Sequence, residues 1–206
     1  YDTDAKRMAL LTGYGVKFAG PAGNTVAKDL EPEYIVTADD SKMAYVSLQE
    51  NNAIGIIDLD DLTIEVKALG YKDWGKYQLD FTNKDEVPSF KSIDGLYGMY
   101  QPDSLASYTW NNATFIVSAN EGDARDYDQY SEEVRVADII DPDELNMSLS
   151  TELQAQYDQS GGDDYLGRLK ITTVLGDNTG QLRANIILGS KFLAYVLPPF
   201  DWFFLL

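Results

Sequence analysis

The sequence predicts an all-β fold of the β-propeller type, with antiparallel four-stranded blades and a long acidic insertion that holds a short helix. Three observations predict it. Short segments rich in β-branched and aromatic residues alternate with turn formers, the unit they build recurs further along the chain, and the second copy is interrupted by a stretch crowded with Asp and Glu.

Taken in order, Tyr14 to Ala19 reads as the outer strand of an earlier unit. Blade one follows at about 33–69, with strands Glu33 to Ala38, Met43 to Gln49, Ala53 to Leu59 and Thr63 to Leu69. Asp39-Asp40-Ser41-Lys42, Glu50-Asn51-Asn52 and Asp60-Asp61 separate them, and such side chains cap local backbone groups in tight turns. Blade two spans about 103–189. Glu31-Pro32-Glu33-Tyr34-Ile35 aligns with Gln101-Pro102-Asp103-Ser104-Leu105, and Tyr45-Val46-Ser47 aligns with Phe115-Ile116-Val117 at the same offset, with no gap between the two matches. Its insertion, 120–166, carries Leu149, Leu153 and Tyr157 at helical spacing, stopped by Gly161-Gly162. Strands resume at Gly167 to Val174 and Gln181 to Gly189, and Ser190 to Val196 opens a further blade before an apolar tail that ends at Leu206. Residues 1–206 therefore read as one partial propeller domain, an expectation that implies either a longer protein or closure through partner chains, since propellers use about four blades or more.

Composition narrows function. A formal charge of -18 repels phosphate backbones and anionic headgroups, which excludes nucleic acid as a partner and favours cations, basic proteins and calcium-rich mineral. With no cysteine and no histidine, thiolate chemistry, imidazole ligands and the Ser-His-Asp arrangement are absent, leaving oxygen donors suited to hard cations. The run Phe192 to Leu206 is broken by Pro198-Pro199 and Asp201 and is too short for membrane insertion. Asn112-Ala113-Thr114 and Asn146-Met147-Ser148 are acceptor sequons, so Asn112 and Asn146 are candidate glycosylation sites in a secreted protein.

Hairpin geometry then gathers a site. The start of one strand and the end of the next share an end of the sheet, which sets Glu33 beside Glu50 and Asp103 beside Asn120 and Glu121. Glu31, Glu33, Glu50, Asp103, Glu121 and Asp123 would crowd one rim, where either some carboxyls resist ionisation or a cation neutralises them. Calcium accepts six to eight irregularly placed oxygens, so Glu33, Glu50, Asp103, Asn120, Glu121, Asp123 and Asp126 are its candidate ligands. A solvated, capped turn is the alternative. Arg125 in this loop can clamp a phosphoryl oxygen, which would make it a catalytic group if the protein were a metal-dependent phosphomonoesterase. A structural salt bridge is the alternative there.

Four ordered motifs carry a family resemblance: Asp29-Leu30-Glu31-Pro32-Glu33-Tyr34-Ile35, Leu48-Gln49-Glu50-Asn51-Asn52-Ala53-Ile54, Gly98-Met99-Tyr100-Gln101-Pro102-Asp103, and Ala119 to Tyr127. Together they resemble the choice-of-anchor I family, whose members include cell-surface glycoproteins of biomineralising animals, with some relatives labelled alkaline phosphatase. The resemblance implies an extracellular, secreted or surface-attached glycoprotein that meets calcium, of the matrix, adhesion or biomineralisation type. The calcium-dependent phosphatase and an assembly module of a larger extracellular polymer are the alternatives. The chain departs from the family pattern at Gly189-Ser190-Lys191-Phe192-Leu193-Ala194-Tyr195.

Overall fold

A computed structural model of the chain describes residues 4–82, 84, 86–145 and 147–175, together with the backbone of 181–182, 185–186 and 195–197. It is mostly β, with small sheets and few helices, and divides into two compact units. The first takes Tyr1–Gly70, Tyr100–Asp123 and Gly189–Leu206; the second takes Tyr71–Met99 and Ala124–Leu188.

In the first unit, helices α1 (Asp4–Gly13) and α2 (Val26–Asp29) precede four strands: β1 (Pro32–Thr37), β2 (Met43–Leu48), β3 (Ala53–Asp58) and β4 (Ile64–Ala68). These form an antiparallel meander in the order β1-β2-β3-β4, as the alternating pattern requires. Successive side chains leave opposite faces. Val36, Tyr45, Ile54 and Ile56 share one face, and Val46, Leu48, Ala53, Val66 and Ala68 share the other. The second face packs on Met8, Leu11, Val16 and Val26, so the N-terminal segment closes that side.

The repeat is visible in the strands. A second hairpin, β5 (Pro102–Trp110) and β6 (Ala113–Asn120), starts its strands at Pro102 and Ala113, the repeat counterparts of Pro32 and Met43 where β1 and β2 start. Its Leu105 and Ile116 meet the first face of the meander through Ile54 and Leu69, so two sheets stack within this unit. A further strand, β7 (Tyr195–Leu197), pairs with the far side of β6, giving the order β7-β6-β5.

The second unit is built around a five-stranded sheet with the order Glu133–Arg135, Lys170–Thr172, Asn185–Ile186, Tyr97–Met99, Tyr71–Asp73. All its pairings are antiparallel except that of Asn185–Ile186 with Tyr97–Met99. Helices α3 (Val136–Ile140) and α4 (Thr151–Gln159) pack Val136, Ile139, Leu153 and Tyr157 against Trp74, Phe81, Leu96 and Ile171. Ser150 caps α4 by accepting a hydrogen bond from the Leu153 amide at 3.3 Å, and Gly161, with φ +94°, lets the chain turn away.

Two expectations need correction. The strands after the acidic insertion do not extend the β5–β6 sheet: Lys170–Thr172 pairs with Glu133–Arg135 instead, and β7 takes the place beside β6. Tyr14 to Ala19 joins no sheet: Tyr14 and Gly15, the latter at φ +99°, form the turn that ends α1, and beyond it the Lys17 amide donates to the Asn51 carbonyl. Among the described residues the sheets close no barrel.

Candidate functional site

Both hairpins begin on a proline, and both carry a bulge just after it. Pro32 faces Leu48 while Ile35 faces Val46; Pro102 faces Asn120 while Leu105 faces Ser118. Each first strand thus fits one extra residue into the same repeat position. Proline has no N–H to give the ladder, so a bulge at the strand's start is where it is tolerated. The residue after each proline, Glu33 or Asp103, is delivered to the same end of the unit.

That end is the acidic rim. Burial pushes the Glu33 carboxyl above its ordinary range, and the neighbouring charges of Asp103, Asp123, Glu31 and Glu121 push it further. Asp103, Asp123, Glu31 and Glu121 thus lie near enough to Glu33 for their charges to act on it. Glu50 is half-buried just beyond β2. Asn120 is buried, at 2% exposure, and its side-chain oxygen accepts from the Ser118 hydroxyl at 2.8 Å. Among the described residues, no three acidic side chains converge closely enough to hold an ion as they stand.

Three buried amides beneath the rim escaped the sequence reading. Asn51 donates to the Lys17 carbonyl at 2.8 Å and accepts from the Glu31 amide at 3.1 Å. Asn52, at φ +52°, donates to the Gly70 carbonyl at 2.9 Å and accepts from the amides of Tyr100 at 2.9 Å and Gln101 at 3.2 Å. Gln101 is fully buried at φ +45°; its side-chain nitrogen donates to the Asp123 carbonyl and its own carbonyl accepts from the Glu121 amide at 3.3 Å. The Gln101 Oε1 atom has no hydrogen-bond partner among the described residues. A buried acceptor left in this way costs about 1–3 kcal/mol. The signal that could have found Gln101 is its place: it precedes Pro102 as Glu31 precedes Pro32.

Arg125 and Asp126 belong to the second unit. Arg125 is 4% exposed, and its amide donates to Glu132 Oε1 at 3.0 Å, while the Glu132 amide donates to the Arg125 carbonyl at 3.0 Å. Glu132 is fully buried and also accepts from the Thr172 hydroxyl at 2.7 Å. This network sets Arg125 in the interior of its unit. Asp126 is exposed, faces Ser131 in a small hairpin, and lines a cavity of about 220 Å³ with Glu133, Arg135, Asp138 and Lys170.

Asn112 is exposed at φ +62° in the two-residue turn between β5 and β6. Asn146 lies outside the described residues. Among the described residues no helix is long and apolar enough to cross a membrane.

Compared with known protein families, residues 2–193 match the family model of the choice-of-anchor I domain. No curated protein and no solved structure matches the chain.

Proposed function

Because the chain belongs to the choice-of-anchor I family, and is thereby a surface-associated or extracellular protein, we propose that it is a non-enzymatic matrix or adhesion protein whose acidic rim takes up calcium. Glu33, Asp103, Glu121 and Asp123 would supply carboxylate oxygens and Gln101 an amide oxygen, a donor set of the hard type calcium prefers. The observation that carries this reading is the orphaned Gln101 Oε1, held by the amide's bond to the Asp123 carbonyl beneath carboxylates that already oppose ionisation of Glu33. A cation offsets that repulsion and gives the buried acceptor a partner. The stacked repeat hairpins support placing this rim on a propeller whose blades follow the same order. Calcium mineral and extracellular chains are the partners such a surface suits, and an occupied Asn112 would make the protein a glycoprotein.

The test is thermal unfolding with calcium and with chelator. Calcium should raise Tm by about 5–10 °C at a hundredfold excess over Kd for a chain this size. Glu121→Gln combined with Asp123→Asn should remove the shift. An unchanged Tm in the folded wild-type protein at millimolar calcium would sink the reading.

A further inference from the structure

We infer that Tyr127 and Tyr130 form an oxidative cross-linking site, a pair of phenols placed to be joined into a dityrosine that staples their hairpin covalently. The hairpin consists of strands Asp126–Tyr127 and Tyr130–Ser131, joined by the two-residue turn Asp128-Gln129. Tyr127 faces Tyr130 and Asp126 faces Ser131 in antiparallel register. Residues directly opposed in this way send their side chains to one face, with Cβ atoms about 4.5–5.5 Å apart, within reach of aromatic rings. Both phenols are also open to an oxidant, since Tyr127 is 53% exposed and Tyr130 41%.

Register singles this pair out. The chain has 14 tyrosines, and Tyr14, Tyr34, Tyr71 and Tyr108 are exposed as well. Tyr71 faces Met99 and Tyr108 faces Phe115, while Tyr34 lies in the bulge of β1 and Tyr14 in the turn after α1. Among the described strands, only Tyr127 and Tyr130 set one tyrosine across from another. The chain has no cysteine, so a tie through sulfur is closed to it in the surface-associated or extracellular setting where covalent ties persist.

The reaction balances with a peroxide as oxidant and a haem peroxidase or similar one-electron catalyst. Each phenol gives up one electron and one proton. The two phenoxyl radicals then couple through the ring carbons beside their oxygens, and the displaced ring hydrogens pass to oxygen as the rings regain aromaticity. In sum, two ring C–H bonds break, one C–C bond forms, and two electrons and two protons reduce one peroxide to two waters. Asp126 and Asp128 flank Tyr127 in sequence and supply carboxylates that can take up phenolic protons. Rings tied into one hairpin meet at an effective concentration of about millimolar or more, so in dilute solution the bond closes within a copy rather than between copies. It would fix the turn, and with it Asp126, which lines the cavity beside Glu133, Arg135 and Asp138.

The test treats the full 206-residue chain, dilute and in chelator, with hydrogen peroxide and a haem peroxidase, and reads dityrosine fluorescence, intact mass and the cross-linked peptide. The expected product is a monomer lighter by two hydrogen atoms, its link mapped to Tyr127 and Tyr130. Tyr127→Phe and Tyr130→Phe should each abolish that product, whereas Tyr34→Phe with Tyr108→Phe should leave it unchanged. The mapping is made on the wild-type chain, so it decides the matter even where a variant fails to fold. No dityrosine, links spread over the other exposed tyrosines, dimers that mark oxidative self-association in place of the monomeric product, or an undiminished yield in Tyr127→Phe overturns the inference.

Discussion

The two copies of the hairpin run alike through both of their strands and then part, and the point of parting is a single backbone conformation. Each starts on proline, bulges at the same place, and leaves its second strand through a residue in the left-handed region: Asn52 at φ +52° in the first copy, and its repeat counterpart Gly122 at φ +71° in the second. The fold needs that conformation in both. Asparagine tolerates it and adds an amide that ties Gly70, Tyr100 and Gln101 together, so the first copy turns tightly into β3. Glycine supplies the conformation without the ties. The second copy continues as the acidic loop, and the Asn52 side chain marks the difference between a tied turn and an open one.

The largest effect should come from removing those ties. Asn52→Ala should cost about 3 kcal/mol in denaturant unfolding, because it leaves buried donors and an acceptor unpaired and sets alanine at positive φ. Gly122→Ala should cost about 1 kcal/mol, the backbone penalty alone. Equal losses at the two positions would erase the distinction drawn between the copies.

A smaller effect compares Glu33 with its own repeat partner, Asp103. The Glu33 carboxyl is raised in the folded state, so its neutral form favours folding below the ordinary carboxylate range and that contribution is lost as pH rises through the folded pKa. Glu33→Gln should therefore raise Tm by about 1 °C at neutral pH, with the gain vanishing in acid. A gain that persists at low pH would point to packing rather than charge. The smallest effect has the opposite sign and belongs to the first copy. Asp61, in the turn before β4, is held below its usual range by the Thr63 hydroxyl at 2.7 Å and the Thr63 amide at 2.9 Å. Its contribution is present above the unfolded pKa and fades as pH falls, so Asp61→Ala should lower Tm slightly at neutral pH and not at all in strong acid.

Much of this fold is legible in the sequence because its rules are local. The meander strands fall within one residue of their expected ends, since Asp, Asn and Ser clusters mark turns wherever they occur. The acidic rim was legible through the repeat, which carried Glu33 onto Asp103. Asn51, Asn52 and Gln101 were not, because a turn-forming amide looks the same whether it faces water or the interior. Asn51 reaches Lys17 across 34 positions and Asn52 reaches Gln101 across 49, distances that no local pattern encodes. The interior place of Arg125 was hidden for the converse reason. Asp123 and Asp126 close to it in sequence are acidic and exposed, while the residue that engages its backbone, Glu132, is wholly buried.

The two-residue turn at Asn111 and Asn112 makes the β5–β6 hairpin a local structure. Both residues take positive φ, at 49° and 62°, the conformation of a type I′ turn, so the β5–β6 hairpin closes with almost no loop to order. Hairpins of this kind zip in about 1–10 μs from contacts local in sequence, while the ties from Asn52 also bear the closure entropy of a 49-residue span. In a nascent chain the meander emerges before this hairpin, so Leu105 and Ile116 meet Ile54 and Leu69 in a meander already made, and the hairpin completes a face that is waiting for it.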